Sequence, residues 1–183
     1  MATYTFESGH TRANFSVRHM MITNVRGQFE DVTGTLEFDA ENPANSRVEA
    51  QIHANSINTG SDQRDGHLRS PDFFDVANYP VITFKSTRVE PTGKDSAKIH
   101  GELTIRAKTL PVVLDAEFLG ETINPFGGDK RLGFTGKTKI NREDYGLTWN
   151  VALETGGWLV GKEITIELDV EVMPITQEAL ATA

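Results

Sequence analysis

Apolar and polar residues alternate with a period of two along most of this chain, most clearly near its C-terminus. Ile164, Ile166, Leu168, Val170 and Val172 occupy every second position, with Thr165, Glu167, Asp169 and Glu171 between them. Successive side chains of a strand point to opposite faces, so this spacing predicts a strand with one apolar and one polar face. The same rule fits segment after segment upstream. Phe15 and Val17 alternate with Asn14, Ser16 and Arg18, and Val48, Ala50 and Ile52 alternate with Glu49, Gln51 and His53. Ile99, Leu103 and Ile105 oppose His100, Glu102 and Thr104, while Val112, Leu114, Ala116 and Phe118 oppose Asp115 and Glu117. Leu132, Phe134 and Ile140 oppose Thr135, Lys137 and Lys139, and shorter candidates cover 25–30, 33–39 and 81–89. One buried face and one wetted face mark antiparallel sheets. With turn signals at Asn42-Pro43 and Thr92-Gly93-Lys94-Asp95, the strands predict an all-β barrel or sandwich.

Two stretches break the pattern. Residues 61–70 carry helix-like charge, with Asp62 as a cap and Asp65 and Arg69 spaced to pair one turn apart. Residues 141–146 read as a short helical turn ended by Gly146.

The 183 residues suit one domain, placed at 1–175, and the small polar residues of 176–183 are expected to form a flexible tail. A net charge of −8 argues against nucleic acid and against anionic lipid headgroups, which need clustered Lys and Arg. The chain has no Cys, so disulfide and thiolate chemistry are excluded. No apolar run approaches the roughly 18 residues of a membrane helix, and no stable membrane insertion is expected. The N-terminal residues lack a basic segment followed by an apolar one, so the chain as it stands is expected in the cytoplasm. With a leader removed, the expectation becomes periplasmic or secreted.

Catalytic and metal signals are sparse. His10, His19, His53, His67 and His100 are scattered singly, and no His-Glu-x-x-His is present, so no metal site is expected. A nucleophile elbow, a phosphate loop and a dinucleotide fingerprint are absent, so no catalytic residue and no cofactor are assigned. A Ser/His/Asp triad drawn from distant positions is recognised only by geometry. His19 shares the face of Phe15 and Val17. It reads either as a strand-end side chain bonded to backbone or as a polar anchor at a cavity mouth. Arg64, Asp65, His67 and Arg69 form the densest charged cluster, either a solvated helical face or a lid whose Arg64 or Arg69 meets a polar head. Phe73, Phe74 and Tyr79 follow, placed to plug one end of a core.

Several of these segments carry a resemblance. His19 with Val25-Arg26-Gly27-Gln28-Phe29, the run Arg64-Asp65-Gly66-His67-Leu68-Arg69-Ser70-Pro71-Asp72-Phe73-Phe74-Asp75-Val76, and Tyr79-Pro80 with Thr83-Phe84-Lys85-Ser86 are similar to the YceI-like polyisoprenoid-binding family. Gly101-Glu102-Leu103-Thr104-Ile105, Ile140-Asn141-Arg142-Glu143-Asp144-Tyr145-Gly146-Leu147 and the closing strand extend the match over nearly the whole chain. Arg106-Ala107-Lys108-Thr109-Leu110-Pro111 stands where the family commonly has Gly-Val-Thr-Lys-Pro, and Tyr4 where it often has Trp.

The resemblance implies an extended antiparallel eight-stranded lipocalin-like β-barrel with one or two short helices, often a homodimer. It would bind a long-chain polyisoprenoid lipid, a prenyl quinone precursor or prenyl phosphate, and sequester or carry it rather than act as an enzyme. An eight-stranded barrel has room for packed side chains or one small ligand. The shared strand face and the resemblance together give the expected ligand-binding residues. These are Phe15, Val17, His19, Phe38, Ile52, Arg64, His67, Phe74, Phe84, Leu103, Ile105, Leu114, Phe134 and Trp149. Two rivals remain: a small barrel isomerase or cyclase with at least two convergent polar groups deep in its cavity, and a filled barrel that serves as an interaction module.

Overall fold

The computed structural model describes residues 1–175 of the chain, so the tail expected over 176–183 lies outside the described residues. The strand segments are β1 (Ala2–Phe6), β2 (Arg12–His19), β3 (Thr23–Phe29), β4 (Val32–Phe38), β5 (Arg47–His53) and β6 (Ile57–Asn58). They continue as β7 (Val81–Pro91), β8 (Ser96–Ile105), β9 (Lys108–Ile123), β10 (Lys130–Asn141) and β11 (Val160–Pro174). Both β1 and β2 run antiparallel along β11, with Tyr4 opposite Pro174 and Val17 opposite Ile164, so they are two halves of one interrupted strand. In the same way β4 pairs with β1 while β3 pairs with β2, and β5 pairs with β4 while β6 pairs with β3. The segments therefore make an eight-stranded antiparallel barrel whose neighbours follow sequence order, closed where β1 and β2 meet β11. Closure leaves no long unpaired edge.

The alternation read from the sequence is the in–out alternation of this barrel, but bulges reset it. In β7, Ile82 and Phe84 face inward, and an irregularity between Ser86 and Arg88 brings Val89 to the inner face instead of the next even position. A second irregularity, where β10 meets β9, leaves Leu119 unpaired and 62% exposed. An extra residue in one strand sharpens local twist, which a small closed barrel needs. Inward-facing glycines serve the same curvature. A Cβ on Gly101 would stand 2.4 Å from the Phe84 ring, and one on Gly27 2.5 Å from the Phe15 ring. Each ring covers a glycine on the neighbouring strand, so no larger residue fits there.

One α-helix, α1 (Asp62–Arg69), interrupts the meander between β6 and β7. Its cap is Ser61, whose side chain accepts from the Arg64 N–H, and Asp62 is the first helical residue rather than the cap. The expected Asp65–Arg69 pair does not form. Asp65 is 5% exposed and accepts from the Thr59 backbone N–H and hydroxyl, while Arg69 donates to the Asn55 and Ile57 carbonyls. Both side chains are drawn to unpaired backbone groups of the crossing loop, which would otherwise be buried without partners. The turn at 141–146 is a 3₁₀ helix, Arg142–Tyr145, stopped by Gly146 at a φ of 81°.

A cavity open at one pole

Inward-facing side chains of a filled barrel would be buried, yet here many are only half-buried. In β5, Val48, Ala50 and Ile52 are of intermediate exposure, although they alternate with outward Glu49, Gln51 and His53. Their open surface faces the interior, which holds a continuous cavity of about 550 Å³. That is an ordinary volume for a small-molecule pocket, about 300–1,000 Å³.

The two ends of this cavity differ. One is lined by residues nearly absent from the surface: Phe73, Ile105, Arg142, Tyr145 and Leu147, each under 10% exposed. They belong to α1's following corner, the β8 terminus, the 3₁₀ turn and the segment after it. At the other end the lining includes the exposed loop residues Ala40, Gly93, Lys94 and Asp95, and the exposed Arg47 that opens β5. The cavity is thus closed at the α1 pole and opens between the β4–β5 loop and the β7–β8 turn. Asp95 and Glu117, both exposed, are the carboxylates on the lining among the described residues.

Ten of the residues expected at a ligand line the cavity. Phe38, Leu114 and Phe134 stand in its open half, Ile52, Phe84 and Leu103 in the wall, and Phe15, Val17, Phe74 and Ile105 toward the closed half. Phe38 and Phe134 meet edge-to-face at 5.5 Å, and Phe118 joins them at 5.7 and 5.2 Å, which builds an aromatic flank beside the opening.

The other four lie off the lining. His19 shares the parity of Phe15 and Val17, but it ends β2 opposite Val160, at the pole away from the opening, so it is no anchor at the mouth. Arg64 donates to the Thr59 hydroxyl and carbonyl, which spends its guanidinium on the loop before α1. His67 stands 2.8 Å from the Asp72 carboxylate and packs edge-on against Phe73 and Trp149, at 5.1 and 4.6 Å. Trp149 itself packs against the core cluster from behind the lining. The charged segment therefore braces the Phe73–Phe74 corner that closes the barrel. Its polar groups are satisfied by nearby backbone and side chains, Thr59 and Asp72 among them, and Arg64, His67 and Arg69 lie off the cavity lining.

Sequence reasoning passed over two polar residues that do reach the lining. Arg142 is 4% exposed and has no carboxylate partner among the described residues. Its Nε–H donates to the Gly161 carbonyl at 2.8 Å, Nη1 to those of Leu147 and Trp149 at 2.6 and 3.0 Å, and Nη2 to that of Val160 at 3.2 Å. Burial draws its pKa below the ordinary arginine value, opposed by the Glu143 carboxylate. Tyr145 is 3% exposed, and burial, reinforced by the charge of Asp144, pushes its pKa up to about 12. The spacing Arg-x-x-Tyr within a predicted turn was the available signal, because residues three apart in a 3₁₀ turn share a face.

The scattered histidines acquire one cluster in three dimensions. Glu7, His10 and Glu171 come within ligand reach of one another, with His10 Nδ1 2.8 Å from Glu7 and 3.8 Å from Glu171. The cluster sits outside the barrel, its His10 side chain is 70% exposed, and Arg131 already pairs with Glu171 at 3.0 Å. Burial would raise the Glu7 pKa, but hydrogen bonds from the Gly9 backbone and from His10 outweigh it and lower it. The group reads as a surface ion-pair network.

A closed up-and-down barrel with a largely apolar, one-ended interior defines the lipocalin-like class of small-molecule-enclosing folds. Residues 4–172 match the YceI-like domain, and the chain belongs to that family. It is 36% identical over 171 residues to a UPF0312 protein of Staphylococcus aureus (strain bovine RF122 / ET3-1), covering 93% of this chain and 97% of that one. Among solved structures it is similar to the Campylobacter jejuni YCEI protein, at 30% identity and a TM-score of 0.72, covering 87% of this chain and 90% of that one. Burkholderia cenocepacia BcnA shares the fold at 20% identity and a TM-score of 0.77, over 91% of this chain and 98% of that one. So does a polyisoprenoid binding domain from Saccharophagus degradans, at 16% identity and a TM-score of 0.68, over 96% and 100%.

Proposed function

We propose that the chain binds a long-chain polyisoprenoid lipid in the barrel interior and sequesters or carries it. The observation that supports this most is the continuous cavity, apolar along its wall, closed at one pole and open at the other. A filled-barrel interaction module would lack it. The enzyme rival asks for two convergent polar groups deep in the cavity, and Arg142 and Tyr145 do reach its closed end. The binding reading is favoured because Arg142 is held by four carbonyls and the carboxylates on the lining among the described residues stand exposed at the rim, away from that end. The likeness to a polyisoprenoid binding domain agrees with the proposal, and the homodimer implied by the family resemblance is part of it.

Each buried CH₂ contributes about 0.8 kcal/mol, so one five-carbon unit gains about 3–4 kcal/mol before ordering costs are taken off. Affinity should climb with prenyl number and level off once the chain reaches the opening. Titrating prenyl alcohols of increasing length, below their aggregation limits, into delipidated protein measures both. Flat affinity across the series would overturn the proposal.

A further inference from the structure

The closed end of the cavity is not wholly apolar, and two of its polar groups, Arg142 and Tyr145, are incompletely used. Arg142 has five N–H donors. Four of them reach carbonyls, which leaves one Nη2 hydrogen without a partner among the described residues. Tyr145, on the same 3₁₀ turn, makes no side-chain hydrogen bond among them, although it is 3% exposed and lines the cavity. No buried side-chain nitrogen or oxygen among the described residues is sealed off without a partner, so the Tyr145 oxygen borders open space. Residues at i and i+3 of a 3₁₀ turn eclipse one another, so both side chains leave the same face of the turn, and both residues line the cavity. A buried donor without an acceptor is costly, and natural interiors supply one from protein, water or ligand.

We infer that Tyr145 and Arg142 form a head-group site at the cavity floor, where an amphiphile enters head-first and rests one neutral oxygen acceptor, its apolar tail trailing toward Lys94 and the opening. This rests on the lipid-binding reading above and specifies its orientation. The chemistry offered is two donors, and the one positive charge is already shared among four carbonyls. A carbonyl or hydroxyl oxygen fits that supply. A diphosphate does not, because it would bring at least two negative charges into a largely apolar pocket with no further cation on the closed-end lining among the described residues.

The clean variant is Tyr145→Phe, which deletes a hydroxyl bonded to no protein group and leaves the Arg142 clamp intact. Three probes are titrated into delipidated wild type and variant: a tetraprenyl benzoquinone, the linear tetraprenyl hydrocarbon and tetraprenyl diphosphate. The quinone should bind wild type more tightly than the hydrocarbon. It should lose about three- to tenfold in Y145F, the worth of one hydrogen bond, while hydrocarbon affinity and melting temperature hold. Infrared difference spectra of the ¹³C-carbonyl-labelled quinone should show a hydrogen-bonded carbonyl band in wild type that moves up in frequency in Y145F. Equal quinone affinity and an unmoved band in Y145F would overturn the inference. So would tightest binding by the diphosphate with no response to Y145F, which would put the head at the rim. If affinity still rises with tail length, only the orientation falls; if no prenyl probe binds, the lipid-binding reading falls with it.

Discussion

The two poles of the barrel use aromatic residues in opposite ways. At the α1 pole, Phe73, Tyr145 and Leu147 are at most 6% exposed, and Ala54 and Ile57 are essentially inaccessible. Phe15, Phe29 and Phe74 interlock there at 5.7 and 5.5 Å. At the open pole, Phe38, Phe118 and Phe134 pack with comparable spacing, but each is only half-buried because its other face borders the cavity. Ring contacts are therefore alike at the two poles, and the difference lies in what seals the backbone. At the closed pole, cationic side chains satisfy carbonyls of loops and strand ends: Arg69 those of Asn55 and Ile57, and Arg142 those of Leu147, Trp149, Val160 and Gly161. Around the opening, Arg47 at the start of β5 and Lys94 in the β7–β8 turn border the cavity from exposed positions. A barrel end becomes a floor when its loops can be buried, and burying a loop requires partners for its carbonyls.

The largest expected effect attacks that seal. Arg142→Met keeps the apolar stem and takes the side-chain donor from the Leu147, Trp149 and Gly161 carbonyls, at about 1–3 kcal/mol each before water replaces any bond, while the Val160 carbonyl keeps the Asn150 amide at 2.8 Å. A loss of about 4 kcal/mol or more in chemical denaturation is expected. A loss under about 1 kcal/mol would show that the carbonyls are as easily hydrated as those of the open pole, and the contrast would vanish.

A smaller effect separates the poles by packing. Ile57→Ala at the closed pole, where Ile57 is 1% exposed, should cost about 2–5 kcal/mol, since a packed site cannot collapse around the missing atoms. Val48→Ala removes a side chain that already borders empty space. Little new cavity is created, and a cost below about 1 kcal/mol is expected. Equal losses in paired melts would mean that the interior is better filled than its half-buried wall indicates.

This contrast also explains what the sequence could and could not show. Alternation in 160–174 and 108–118 gave the inner wall directly, because period two is a local property. It could not show that three strands are interrupted, since β1 and β2 are joined only through their shared partner β11. It failed at bulges such as the one near Ser86, which depend on closing the barrel. His19 shows the limit of parity: it lies on the inner face by count, but a strand ends where its partner turns away, and parity carries no information about distance along the axis. Arg64 and His67 looked like ligand groups because they are charged and close together. Their real partners, Thr59 and Asp72, were invisible as partners until the loop folded back. Arg142 was overlooked for the converse reason, because its partners are carbonyls, which every residue has.

The smallest expected effect concerns acid, and it should appear at the open pole alone. Asp39 accepts from the Asn42 N–H at 2.9 Å and from the Asn45 amide at 3.2 Å, and these bonds lower its pKa against a small opposing burial. Glu90 is lowered first by its hydrogen bond from His100 and then by the charge of Arg88, and Asp129 by its bond from Arg131. All three carboxylates sit in or beside the loops that frame the opening. A folded pKa below the unfolded one means that the stabilisation is complete above the ordinary carboxylate range, about 4, and fades as the pH falls through the folded values. These groups are solvent-exposed and screened, so each contributes little, and global melting at pH 5 should match that at pH 7. Hydrogen exchange corrected for intrinsic rate is the sensitive measure. Protection at 40–46, 91–96 and 124–130 should drop between pH 5 and pH 3. Over 147–149 and 160–161 it should hold, since Arg142 bonds there to backbone carbonyls, which do not titrate. Simultaneous loss at both poles would mean that acid unfolds the barrel as one unit, and that the open end is no more loosely held than the floor.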